Sequence, residues 1–142
     1  MKEKKFIKHG INLVHVSVRE LSFKAFDGDN TLKPPSTPKF FTAKSEYDKE
    51  NHSVSVGMLV KLGEESDCRY TSTVEIVGVF TVDESKFEIS KLDDWSEYNA
   101  PYILHPYLRM HLYKLTLECT GEGYMLPLVE VPTSGRRCES QV

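Results

Sequence analysis

The side chains able to do chemistry are few and scattered. Five histidines occur, His9, His15, His52, His105 and His111, and imidazole is the usual base, proton shuttle or metal ligand near neutral pH. His105 and His111 lie six residues apart, which on a helix points them to different faces, not to the i, i+4 spacing that holds a metal. His111 falls near a row of leucines, where a hydrogen-bonded core or interface role suits it. The carboxylates gather at Glu64–Glu65–Asp67, in a turn, and at Asp93–Asp94, at a helix start where acids favour the helix dipole. The first cluster reads either as a solvated turn or as an acidic docking spot. Cys68, Cys119 and Cys138 are odd in number, widely spaced and without CxxC or paired Cys/His spacing, so reduced thiols are expected and no structural zinc site. No HExxH, GxSxG, GxGxxG or phosphate-binding loop is written into the chain. The expectation is a protein that is not an enzyme and carries no metal or cofactor.

What the chain does offer is apolar surface outside regular elements. Aromatic residues make up 11% of it. Phe26, Phe40, Phe41 and Tyr124 fall in or near loops, close to Leu32, Met125, Leu126 and Leu128. As a set these eight are candidates to line an apolar groove too large to hide in one small domain. Methionine and aromatic side chains suit adaptable, sequence-tolerant binding.

The elements that must position these residues begin with "LVHVSVRELSFKAF" (Leu13–Phe26), which alternates like a strand. Val14, Val16 and Val18 share one phase, Leu21 and Phe23 the other, so a bulge or bend is expected near Arg19–Glu20. "DGDNTLKPPSTPK" follows, rich in proline and too long for a hairpin turn, and should cross over part of the fold. Phe40–Tyr47 resumes the alternation with Phe41, Ala43 and Tyr47 in phase, and "YDKEN" reads as a tight turn. "HSVSVGMLVKL" sets Val54, Val56, Met58, Val60 and Leu62 on one face. After the turn "GEESD", "CRYTSTVEIVGVFTV" does the same for Tyr70, Val74, Ile76, Phe80 and Val82. These segments predict a four-stranded antiparallel meander with one face on a core.

After Val82 the period changes. "SKLDDW" opens with a pattern close to a capping box, predicting a short helix from about Lys91 to Tyr98. "NAPYILHPYLRMHLYKL" (Asn99–Leu115) then predicts the main helix, with Asn99 as N-cap and Pro101 in its first turn. Leu104, Leu108, Leu112 and Leu115 form one stripe; Ile103, Tyr107 and Met110 form a second. Two stripes mean two buried faces, one on the chain's own sheet and the other on a partner, plausibly another subunit. Pro106 removes a backbone bond to Tyr102 and should bend this helix.

The 142 residues suit a single domain over 1–142, with 1–10 and 134–142 as flexible ends. The net charge of −3 supplies no basic patch for nucleic acid. No apolar run nears the ~20 residues of a membrane span, and no signal-peptide core follows "MKEKKFIKHG". Cytoplasmic localisation without membrane insertion is expected.

"NAPYILHPYLRMHLYKL" closely resembles the PYxLFPYxR segment of the SecB export-chaperone family. "RELSFKAF" is similar to that family's first strand, "LGEE" (Leu62–Glu65) to its hairpin turn, "GVFTV" (Gly78–Val82) to its last strand, and "MLPLVEVP" to the segment after its long helix. The likeness runs over about residues 11–133. It implies an α+β fold, a four-stranded antiparallel sheet with one long kinked helix, assembled as a dimer of dimers. The candidate oligomer interface of such a homotetramer is Tyr102, Leu104, Tyr107, Leu108, His111 and Leu112. The implied function is that of an ATP-independent holdase for unfolded preproteins in protein export, with the eight apolar residues above as the client groove. The likeness also carries a candidate SecA-docking site onto Glu20, Leu62 and Glu64. Two departures stand against export: Lys24 replaces an acid of the family's SFE pattern, and "TSGRRCESQV" takes the place of a second helix and acidic tail. A SecB-like chaperone dedicated to an antitoxin, in a toxin–antitoxin–chaperone system, is the alternative. From another class, an acyl or lipid carrier or enzyme would need one closed apolar cavity.

Overall fold

The computed structural model describes residues 1–26, 32–35, 37–63 and 68–128. The centre of the sheet is built by the two segments with the cleanest period-2 pattern. In β3 (Ser53–Leu62) and β4 (Tyr70–Val82) every second side chain is buried, from Val54 to Leu62 and from Tyr70 to Val82. β2 (Pro38–Lys44) pairs with β3, and β3 with β4, so these three strands form the expected meander. A tight turn joins the first two: the Asp48 carboxylate accepts the amides of Glu50 and Asn51 at 3.0 and 3.1 Å, and His52 takes the positive φ of 49°.

The first strand does not sit where a full meander would put it. β1 (Ile11–Ala25) pairs with β4, and the order is β1-β4-β3-β2. That is the strand order of a Greek key. The proline-bearing segment between β1 and β2 joins the two edges of the sheet, and among its described residues Lys33 pairs with Cys68 in an isolated bridge.

The expected irregularity near Arg19 is present, and a second occurs at Val14: the register shifts between Leu13 and His15 and again between Val18 and Glu20. Each bulge skips one residue, so Leu13, Val16, Val18, Leu21 and Phe23 lie opposite Phe80, Gly78, Ile76, Val74 and Ser72. Directly opposed residues share a face. Val16, Val18, Leu21 and Phe23 therefore all face the core side of the sheet, and Val14, expected among them, is turned out to solvent.

A 3-10 turn at Ile89–Lys91 leads into α1 (Leu92–Tyr98). The anticipated capping box is not made; the Ser90 hydroxyl donates to Glu88 instead, at 2.9 Å. α2 (Ala100–Thr120) starts from Asn99 with Pro101 in its first turn, although no side chain caps it. It is bent, contains Pro106, and closes on left-handed Gly121, whose N–H donates to Leu117 O at 2.9 Å. Ala100, Leu104, Leu108, Leu112 and Thr116, at i, i+4 spacing, pack on the sheet. Each fully buried leucine contributes roughly 1.5–3 kcal/mol of burial. Gly78 makes the approach possible, since a Cβ there would lie 2.5 Å from Leu104 Cδ2.

Candidate functional site

Among the described residues, three sets of apolar side chains on the helix side of the sheet or on the helix are left uncovered, each for a traceable reason. α2 lies mainly over β3 and β4, while the bulges turn Val18 and Leu21 onto the same face of outlying β1. Those two side chains stay 39% and 50% exposed. The second stripe of α2, Ile103, Tyr107 and Met110, joined by Leu117, points away from the sheet and is exposed as well.

The third set follows α2. After Gly121 the chain turns back along the helix and is pinned at three places. Tyr124 N donates to Thr116 Oγ1 at 2.7 Å, Arg109 Nε donates to Leu126 O at 2.9 Å, and Leu126 is buried completely. Gly123 lies so close to the Tyr113 ring that no Cβ fits. With Leu126 held inward, Met125 and Leu128 on either side are held out, both more than half exposed. Near the helix start, Phe40 on edge strand β2 lies against His105, with ring centroids 6.0 Å apart. Lys44 ties the same strand to α1 by a 3.1 Å ion pair with Asp93.

At the opposite end of the sheet one arginine stitches the crossover. Arg69 O accepts Phe26 N at 2.8 Å, Arg69 Nε donates to Leu32 O at 2.8 Å, and Arg69 N donates to Lys33 O at 3.0 Å. Lys24 Nζ sits 5.4 Å over the Phe26 ring. Phe23 stacks on Tyr70 at 4.9 Å.

Among the eight groove candidates, Phe40, Met125 and Leu128 are exposed on the helix side, and Phe26, Leu32 and Tyr124 are half-buried. Two need correction. Leu126 is an anchor inside the core. Phe41, opposite Leu59, lies on the outer face of the sheet, away from α2 and under Lys61 Nζ at 5.8 Å.

The docking set needs the same treatment. Leu62 is wholly buried and offers nothing to a partner; Glu20 lies on the outer face, opposite Glu75; Glu64 falls outside the described residues. Of the interface set, Leu104, Leu108 and Leu112 belong to the chain's own core, whereas Tyr107 is exposed and Tyr102 and His111 are half-buried. The histidine beside the leucine row that becomes buried is His105, not His111. Val18, Leu21 and Leu117 were not among the sequence candidates. The slipped phase of β1 was the signal for the first two.

The polar chemistry is modest. Tyr47 donates to Glu84 at 2.6 Å, with His52 Nδ1 3.2 Å from the phenol oxygen, a cluster joining the β2–β3 turn to the loop after β4. The Glu84 hydrogen bond pushes the Tyr47 phenol up to about 12, so it stays protonated and is no base near neutral pH. His105 is pushed down, first by burial and then by Arg109, and is neutral near pH 7. Among the described residues no group of three His, Cys, Asp or Glu side chains could hold a metal, and no helix is long and apolar enough to cross a membrane.

Compared with known proteins, the chain matches no family model and no curated protein. Among solved structures it is similar to the SecB-like chaperone of Mycobacterium tuberculosis in complex with a ChAD peptide from the HigA1 antitoxin. The TM-score is 0.68 at 14% identity, over 84% of this chain and 88% of that one. The fold is SecB-like. A protein of unknown function from Streptococcus agalactiae aligns at TM-score 0.47 and 12% identity, over 82% of this chain and 96% of that one. The four-stranded antiparallel sheet and the one bent helix match the Mycobacterium structure. At 14% identity it is the fold that is shared, and the uncovered apolar sets are features of this chain's own residues.

Proposed function

We propose that this chain is an ATP-independent chaperone, a holdase that binds extended, non-native polypeptide on the apolar surfaces its helix leaves open. The observation that carries the reading is the pair of side chains held out around buried Leu126: the backbone at Tyr124 and Leu126 is pinned by the Thr116 and Arg109 hydrogen bonds, and Met125 and Leu128 stay more than half exposed. A non-native chain gains about 25 cal/mol for each Å² of apolar area it buries there, whatever its sequence. β2 is a sheet edge and can add main-chain hydrogen bonds to such a segment. The second stripe of α2, with Val18 and Leu21, is the assembly surface of a homo-oligomer, a tetramer of two dimers. Tyr102, Tyr107 and His111 take part, without the three buried leucines.

Dedication to an antitoxin is favoured over general export by two observations. The similar Mycobacterium structure holds an antitoxin peptide. Burial of Leu62 removes the apolar member of the surface that SecA would read. A lipid carrier would need a closed apolar cavity; the cleft lined by Ile7, Lys8, His9, Gly10 and Lys86, about 650 Å³, is open to solvent and carries two lysines.

The test is suppression of aggregation of a slowly refolding protein without nucleotide. Replacing Met125 and Leu128 together by Ser should weaken capture while the oligomer, followed by light scattering, stays intact. Unchanged capture by an intact double variant would move the binding surface away from this wall.

A further inference from the structure

Among the described residues two buried side chains, Ser96 and His105, each leave a polar atom without a partner, and His105 is the one beside the proposed site. It is only 3% exposed, and its Nε2 has no hydrogen-bond partner. A buried donor or acceptor without a partner costs stability and is rare in folded chains. A phenylalanine or leucine would fill the same space without that cost. The imidazole lies one helical turn before Arg109, whose Nε holds the carbonyl of Leu126. Beside it lies the Phe40 ring, centroids 6.0 Å apart, on edge strand β2 and with more than a third of its surface in solvent, where side chains change rotamer readily.

We infer that Phe40 is a gate over His105, and that a bound client swings the ring aside and gives Nε2 its missing partner, a main-chain N–H or C=O of the client. His105 is then the residue that sets which segments are held best: extended ones that place an aromatic or large aliphatic side chain where the Phe40 ring was. The main-chain group beside that side chain falls on the imidazole. This rests on the holdase reading and sharpens it, since apolar burial alone discriminates poorly between sequences, whereas a buried polar group left unpaired rejects the wrong ligand. Neutral imidazole suits the role, because one ring nitrogen can donate and the other accept.

The experiment uses the full chain and an unstructured 15-residue peptide (the length is arbitrary, roughly one extended groove's reach) with a central Leu-Phe-Val-Phe run. A set of peptides follows in which each main-chain amide of that run becomes an ester, deleting the N–H and weakening the carbonyl. Wild-type protein should bind the parent peptide and lose about five- to tenfold at one ester position. His105→Phe should bind every peptide alike, at the weaker level, and His105→Asn should recover part of the discrimination. Equal ester sensitivity in wild type and His105→Phe, or none at any position in wild type, overturns the assignment. Should His105→Phe fail to fold, the wild-type imidazole 15N shifts decide: Nε2 must move when the parent peptide saturates the protein, and an unmoved resonance overturns it. Failure of wild-type protein to bind the parent peptide is a separate result, which refutes the holdase reading and this assignment with it.

Discussion

Replacing Leu108 by Ala tests how α2 divides its two stripes. Leu108 is completely buried over the sheet, and its neighbour Tyr107, on the other stripe, is 40% exposed. Truncating a fully buried leucine removes its transfer free energy and leaves a cavity, about 2–5 kcal/mol in all. Set against a domain stability of about 5–15 kcal/mol, that is a large share. At roughly 3 °C per kcal/mol for a chain of this size, the melting temperature should fall by about 6–15 °C. Tyr107→Ala should cost about 1 kcal/mol in the dissociated chain, because much of the ring is already wet. If the Tyr107 stripe is covered by a second subunit, its cost must also grow with protein concentration, as assembly stabilises only the folded state. The assay is urea unfolding of both variants at high and low concentration, read as midpoint and slope. A cost below about 1 kcal/mol for Leu108→Ala, with a larger one for Tyr107→Ala at low concentration, would show the stripes to be assigned backwards.

Two further outcomes follow from the titrating groups. His105 has its folded-state pKa lowered, by burial first and Arg109 second, so both states are neutral above about 6.5 and the full stability is present there. As pH falls below that value the unfolded chain takes up its proton first and stability is lost; His105→Phe should flatten this part of the profile, and an unchanged slope in urea melts would contradict it. Glu84→Gln should let the Tyr47 phenol return from about 12 towards its ordinary value near 10, visible in an ultraviolet titration of the tyrosines. A Tyr47 transition unmoved by that change would mean the 2.6 Å bond is not what raises it.

The parts of the fold legible in the sequence were those where one residue's environment repeats locally. β3 and β4 bury every second residue, and the alternation of Val54 to Leu62 and Tyr70 to Val82 stated it outright. The two stripes of α2 separated the same way. What periodicity does not encode is partnership. The place of β1 beside β4 depends on a crossover, and nothing local in "LVHVSV" says which strand it will meet. The bulge at Val14 hid for a related reason, since Val14, Val16 and Val18 alternate perfectly until the partner strand's register removes one of them. The Phe40–Phe41 pair puts one ring on each face, and the choice is made by β3 across the ladder. His105 and His111 flank the leucine row almost symmetrically, and it is the former that is buried beside the Phe40 ring. The apolar residues offered for a groove were therefore legible as a set, while the faces they take, with Leu126 inward and Phe41 on the outer face, were not.

The central claim is that the apolar surface around Met125, Leu128 and Phe40 holds unfolded polypeptide. Its most direct measurement is equilibrium binding of a permanently unfolded, carboxymethylated protein to the purified chain, by calorimetry without nucleotide, for wild type and for the Met125→Ser, Leu128→Ser double variant. The account predicts binding by wild type with a negative heat-capacity change, as apolar surface is buried, and a clear loss of affinity in the variant. Absence of binding by correctly folded wild-type protein would contradict it.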